Sequence, residues 1–334
     1  MMSHYLPHEY LLGIPWGSFG VNIFFVISGF LITGILGKAT QFRTAQVLRA
    51  FYFRRFLRIF PLYYFCLIVA SIFGWIGNDG ATSWHWLYLS NWYFWSQGAW
   101  AGPVSHFWSL AVEEQFYLFW PLAFLGFGER IKAVHISFAL LAIGFLFRVF
   151  CVIPLFDAGL LWYITTPACL EALGMGALLS CFWQRGTQAQ IGMALAVTTG
   201  LLFTQMFLLN WGIGLSEFRY QLFLLWSVTL IWYLCRIKVS HCDWFFFSPV
   251  VRYLGQISYG LYIWHNFMNA PWYGMAEVLE FPDWLTFGLG AVIGKSILTV
   301  IFATATWYGF EKPLLKLKSR FRYDGHSRIG VTQS

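Results

Sequence analysis

Between residues 106 and 122 the sequence reads HFWSLAVEEQFYLFWPL, an apolar stretch that carries one histidine and two adjacent glutamates. Helical spacing sets His106, Ser109, Glu113 and Tyr117 on one face, while Glu114 points about 100° away from Glu113. An imidazole and a carboxylate on one stripe have the means to move a proton and hold a hydroxyl, the equipment of general acid–base catalysis. The alternatives are a set of hydrogen bonds between helices, or an amphipathic helix at a surface. A charge left in hydrocarbon costs roughly 3 kcal/mol or more, so ionisable groups in such a stretch line a substrate path by default. A cavity faced by Glu113 is the expectation.

Other residues have similar potential. In 51-FYFRRFLRIFPLYY-64, Arg55 and Arg58 stand one turn apart and can converge on one anion, a pairing suited to phosphate. Ordinary flanking charge at a membrane boundary is the other reading. Pro61 is expected to fix where the chain turns into the next helix. In GVNIFFVISGFLIT, Ser28 and Gly29 allow close approach of a ligand or of another helix. In 258-SYGLYIWHN-266 and the residues just beyond it, Ser258, Tyr262, His265 and Asn269 share a face, and His265 is either an interfacial anchor or a reacting group. Glu311, in YGFEKP, is expected to pair with an arginine; Arg148, Glu171 and Lys295 are the remaining charges within apolar stretches.

The elements that must position these groups are membrane helices. Of the 334 residues, 59% are hydrophobic and 10% charged, against about a quarter charged in soluble domains. Mean hydropathy is +0.62. Aromatic residues make up 22%, with 19 Trp, as suits a headgroup boundary or an amphipathic cavity. At about 20 residues per span, candidate helices cover 19–37, 59–76, 106–126, 134–153, 163–183, 190–209, 220–236, 254–274 and 284–307, so an all-α polytopic bundle of nine spans is expected. Residues 1–312 form its transmembrane unit and 313–334 a basic cytoplasmic tail.

The net charge of +7 forms no free basic domain, which argues against nucleic acid. Apart from Arg148, Arg219 and Lys295, the 21 basic residues fall in short runs between spans, on alternate sides, which sets the C-terminus inside. The six cysteines show no CxxC pair or metal-ligand spacing and read as packing residues, with no metal implied. No removable signal peptide is evident, and MMSHYLP looks like the end of a preceding helix.

Taken in order, GVNIFFVISGFLIT, FYFRRFLRIFPLYY, HFWSLAVEEQFYLFWP, SYGLYIWHN and the terminal FEKP resemble the acyltransferase-3 family of bacterial membrane O-acyltransferases, across nearly the whole chain. The resemblance implies a bundle of about ten helices in the bacterial inner membrane that takes an acyl group, usually acetyl, from cytoplasmic acyl-CoA. Acetyl-CoA would be a donor substrate and not a resident cofactor. The acceptor would be a hydroxyl of a cell-surface glycan, as in lipopolysaccharide, or of a lipid-linked sugar. Arg55 and Arg58 match the family's Arg-x-x-Arg pair, which holds the CoA phosphates; Ser28 and Gly29 match its Ser-Gly-Phe helix, and Glu311 its Glu-x-Pro. His4 matches the histidine ending the family's first helix and is the first candidate base, with His106 second and Glu113 or Glu114 orienting the imidazole or the acceptor.

Three positions depart from the pattern. The family's first helix carries an arginine about three turns before its histidine, so the functional protein is expected to extend upstream of Met1. Asn22 stands where many relatives have Asp, and Cys169 near where many have Arg, ahead of Glu171. The rival readings are a transporter or flippase, whose matched inverted halves are not found, and an inactive truncated relative.

Overall fold

A computed structural model describes residues 16–76, 81–100, 102–127, 130–153, 161–210, 219–236 and 248–321. Among these residues there is no strand, and the architecture is helical as expected. The main helices are α1 (Trp16–Ala39), α2 (Thr44–Ile72), α3 (Ala81–Trp86), α4 (Ser90–Gln97), α5 (Phe107–Phe127), α6 (Arg130–Phe147), α7 (Thr166–Phe182), α8 (Gln188–Asn210), α9 (Arg219–Arg236), α10 (Pro249–Gln256), α11 (Ser258–Trp264), α12 (Asn269–Val278) and α13 (Leu289–Thr306). Two π-helical turns, Arg148–Val152 and Trp307–Glu311, extend α6 and α13.

Among the described residues, five segments are able to cross a membrane by length and composition: Gly17–Ala39, Thr44–Ile72, Ala133–Val152, Gln188–Leu208 and Leu289–Ser319. The remaining expected spans are shorter, more polar or interrupted. The segment expected to span 254–274 is broken into α10, α11, a 3-10 turn His265–Met268, and α12. Side chains there compete for backbone partners: His265 Nδ1 lies 2.6 Å from Tyr262 O, and Asn266 Nδ2 donates to Pro103 O at 2.8 Å.

The second expected span also differs. It does not begin near residue 59 but runs unbroken from Thr44, so the arginine-rich stretch is itself the first half of α2, and Pro61 lies inside the helix instead of marking a turn. Proline removes a ladder hydrogen bond, but Leu57, Ile59, Leu62 and Tyr63 are buried on either side of it, and that packing carries the helix through.

Helix contacts explain which faces remain for the site. At the crossing of α1 and α7, a Cβ on Gly29 would sit 2.1 Å from Leu173 O and one on Gly176 2.0 Å from Val26 O. Two backbones in contact leave no room for a side chain. The next residue round on α1, Ser28, faces α5. Helix α5 is further tied to α1 by Trp120 Nε1 donating to Thr33 Oγ1 at 3.0 Å, and to α2 by Tyr52 OH donating to Leu118 O at 2.8 Å. Helix α8 starts with a reciprocal cap: Thr187 N donates to Gln190 Oε1 at 2.9 Å and Gln190 N to Thr187 Oγ1 at 3.3 Å.

Candidate active site

Glu113 and Glu114 occupy adjacent positions on α5 and turn in different directions. Glu113 is 2% exposed and faces α1, where Ser28 Oγ donates a short hydrogen bond to its Oε1 and Tyr117 OH donates to the same oxygen at 3.0 Å. Glu113, Ser28 and Tyr117 thus form a closed triangle. Glu114, not Glu113, lines the cavity, contrary to the expectation from the stripe. The helical step of about 100° is the reason: the docking of α5 on α1 through Ser28 takes the Glu113 face inward, and the Glu114 face is left for the groove toward α2.

That groove encloses about 410 Å³ between α2, α5 and the segment after α3. Tyr52, Arg55, Phe56, Phe60 and Tyr64 contribute one wall, Glu114, Gln115 and Tyr117 another, and Trp86 and Tyr88 the end. No hydrogen-bond partner among the described residues reaches the buried Glu114 Oε1. The Arg55 guanidinium lies over the Tyr117 ring, 4.7 Å from its centre. An unpartnered carboxylate and a guanidinium therefore face one cavity whose remaining walls are aromatic. Such walls accept the C–H faces of a sugar or an extended acyl carrier, while the two charged groups orient polar atoms.

The second arginine of the pair is held elsewhere. Arg58 Nη1 is 3.6 Å from Glu311 Oε2, the arginine partner expected for that glutamate. Glu311 is 3% exposed and arrives through the π turn at the end of α13. Arg58 also lies beside the rings of Tyr259 and Trp307.

The two polar stripes meet, but apart from the Glu114 groove. Ser109 and Tyr262 share a short hydrogen bond, Tyr262 OH donates to His106 O at 2.7 Å, and the His106 and His265 rings are 4.8 Å apart. Both His106 nitrogens face backbone carbonyls, Nδ1 to Pro103 O and Nε2 to Ile263 O, each at 3.0 Å. Each ring nitrogen is therefore covered by a backbone carbonyl and does not face the groove. His106 clips α5 to α11. His4 lies outside the described residues.

Glu171 is not on the groove. Arg148 Nε donates to its Oε2 at 2.9 Å, Arg148 Nη2 donates to Ala168 O at 3.0 Å, and the guanidinium stacks on Tyr220 at 3.4 Å. Tyr220 OH in turn donates to Asn22 Oδ1 at 3.2 Å. Of the two departures named above, Asn22 is joined to this cluster through Tyr220, and Cys169 follows Ala168, whose carbonyl accepts from Arg148. Lys295 is 2% exposed, with Nζ donating to Tyr273 OH at 3.0 Å, and belongs to another part of the bundle. Gly29 serves the α1–α7 crossing and does not line the groove.

Sequence reasoning passed over the aromatic wall and Gln115. The signal was the recurrence of Tyr52, Phe56, Phe60 and Tyr64 at four-residue spacing, one ridge of a helix shared with Arg55. Gln115 Nε2 donates to Tyr88 O at 2.8 Å and to Asn91 Oδ1 at 3.0 Å, and accepts a short bond from Thr166 Oγ1, which fixes the end of the groove.

Comparison with known proteins adds identity at the level of family. The acyltransferase domain family matches residues 2–308. The chain is 30% identical to the peptidoglycan O-acetyltransferase OatA of Listeria monocytogenes, over 92% of this chain and 53% of that protein. It is 30% identical to the putative peptidoglycan O-acetyltransferase YrhL of Bacillus subtilis, over 91% and 52%. It is 26% identical to a putative O-acetyltransferase of Staphylococcus aureus, over 95% and 55%. The chain therefore spans about half the length of these relatives. No solved structure matches it.

Proposed function

Because the chain belongs to the acyltransferase family, we propose that it moves an acyl group, acetyl, from cytoplasmic acyl-CoA to a hydroxyl of a cell-surface glycan or lipid-linked sugar. Peptidoglycan is the acceptor that two relatives are named for, and it is the one chosen here. The single observation that carries the reading is the unpartnered Glu114 carboxylate sharing an aromatic groove with Arg55.

The chemistry assigns roles in order. Arg55 and Arg58 hold the donor phosphates at the basic end of α2, taken as the cytoplasmic end. A neighbouring hydroxyl of the acceptor donates to Glu114, which aims the reacting oxygen at the thioester carbonyl and leaves its proton for the base. A C–O bond forms as the C–S bond breaks, the hydroxyl proton passes to the base, and it is returned to the departing thiolate. His4 is the first candidate for that base. Ser28, Glu113 and Tyr117 do not touch the reacting atoms in this scheme; their triangle fixes the rotation of α5 and with it the aim of Glu114.

The test is acyl analysis of surface glycans with and without the gene. Mild alkali should release acetate from the wall glycan of cells that carry it and little from cells that lack it. The wild-type gene should restore release, and an Arg55→Ala copy expressed to the same level should not. Equal acetate with and without the gene would refute the reading.

A further inference from the structure

Among the described residues four tyrosines line the groove, and three of them are satisfied from within the chain. Tyr52 OH donates to Leu118 O at 2.8 Å, Tyr64 OH to Trp86 O at 3.0 Å, and Tyr117 OH to Glu113 Oε1 at 3.0 Å. Tyr88 is the exception. It is 6% exposed, and no described residue bonds to its buried hydroxyl. Its ring is nonetheless held closely: Tyr63 stacks on it with ring centres 4.1 Å apart, and Phe60 lies 5.2 Å away. The backbone is fixed as well, since Gln115 Nε2 donates to Tyr88 O and Leu89 N donates to Trp84 O at 2.7 Å. With φ at 54°, Tyr88 holds a left-handed conformation that residues with a side chain rarely adopt. A phenol kept at such a position, its ring clamped and its hydroxyl unanswered, is organised in advance for something that enters the groove.

Position decides what enters. Tyr64 stands nine residues beyond Arg55 on α2, about 13.5 Å along the helix axis, and its ring lies 5.9 Å from that of Tyr88. Tyr88 therefore marks the end of the groove away from Arg55, which is the outer end when the basic end of α2 is cytoplasmic. Glu114 Oε1 faces the same groove and is also unanswered. A carboxylate accepts, whereas a phenol donates or accepts, so a molecule that answers both carries a donor with a second polar group close by. The Tyr64 and Trp86 rings, stacked with centres 5.1 Å apart, give this end an apolar aromatic surface. Neighbouring polar groups around an apolar ring face are the features of a sugar.

We propose that Tyr88 is an acceptor-binding residue: its hydroxyl and the Glu114 carboxylate hold neighbouring polar groups of one sugar unit at the outer end of the groove, while Arg55 serves the donor at the other. This rests on the acyl-transfer reading above and deepens it, because it assigns the acceptor an end of the groove and a second contact.

The experiment uses the full chain in nanodiscs, with acetyl-CoA as donor and soluble peptidoglycan strands, stripped of esters by mild alkali, as acceptor. Tyr88→Phe removes one oxygen and keeps the ring. It should raise the KM for the strands about tenfold while the KM for acetyl-CoA stays within about twofold. The unfolding midpoint should stay at or above that of the wild type, because no internal hydrogen bond is lost. If Tyr88→Phe matches the wild type in both KM values while Arg55→Ala loses transfer, the role of Tyr88 is overturned and the proposed function stands. If the KM for acetyl-CoA rises instead, the hydroxyl serves the donor and the inference is wrong. A lowered midpoint would give the hydroxyl a structural bond and overturn it equally. If the wild type transfers no acetyl, the functional reading falls and this inference with it.

Discussion

Glu171 and Glu114 are both carboxylates deep among helices, but the protein treats them differently. Glu171 receives Arg148 Nε at 2.9 Å, while the same guanidinium donates to Ala168 O and stacks on Tyr220, so the charges in that cluster are answered from within the chain. Glu114 shares a cavity of about 410 Å³ with Arg55, and no described residue donates to its Oε1. Burying a carboxylate without a hydrogen bond is costly, and a cost borne beside a cavity is offset when a ligand enters. Under the proposed function, the difference separates a charge that holds the bundle together from one that meets a ligand. Residue type alone, an acid within an apolar helix, does not make that distinction; the number of internal partners does.

The contrast breaks most severely at the closed cluster. Arg148→Ala strands Glu171 and should cost about 3–5 kcal/mol of stability, read as a large fall in the unfolding midpoint of purified protein. An unchanged midpoint would show that the pair carries no structural weight.

At the open cluster the loss should fall on activity. Arg55→Ala should reduce acetyl transfer about a thousandfold while the unfolding midpoint stays near that of the wild type. Arg55 is the informative choice because Arg58 also pairs with buried Glu311, and its removal would confound the two effects.

The two adjacent glutamates sharpen the contrast within a single turn. Glu114→Gln should lower transfer about a hundredfold with stability unchanged or improved, since an unpartnered buried charge is removed. Glu113→Gln should instead lower stability by about 1–2 kcal/mol, because an amide oxygen accepts from Ser28 and Tyr117 less strongly than a carboxylate oxygen and an NH2 group takes the place of the other oxygen. Initial rates and unfolding curves on the same preparations decide it; the reverse pattern would exchange the roles given to the two residues.

The smallest effect concerns His85 on α3, outside the long helices and fully buried. Burial holds its pKa below the ordinary 6.5, opposed by the bond between Nδ1 and Ala81 O. The unfolded chain binds the proton more readily, so this contribution to stability is complete above that value and is lost as pH falls from 6.5 toward the folded pKa. His85→Phe should flatten that dependence by about 1 kcal/mol or less, seen in unfolding midpoints across acidic pH. An identical slope in the variant would place the pH sensitivity elsewhere.

Sequence spacing was enough to set Glu113 and Tyr117 on one face, to pair Glu311 with an arginine, and to separate the directions of the two glutamates. It did not reveal which direction leads to the cavity. In a soluble helix an apolar stripe marks the inward face, whereas α5 is apolar nearly all round, since lipid and protein neighbours both favour apolar side chains. Its rotation is set by Ser28, 85 residues away in the chain. The same limitation hid the continuity of α2, where tertiary packing overrides Pro61, and the breaks in α10–α12, where Asn266 bonds to Pro103 across a long sequence separation.

The two π-helical turns have a consequence for inheritance. Each accommodates one residue more than an α turn would, and each carries an ion-pair partner, Arg148 in one and Glu311 in the other. Both segments therefore behave as insertions maintained within a helix. Loss of a single codon in either would restore the regular ladder and keep the helix before it facing as it does, but the wide turn that presents the ion-pair residue would be gone. At these two points the spacing of the code is under stricter constraint than the identity of most of its letters.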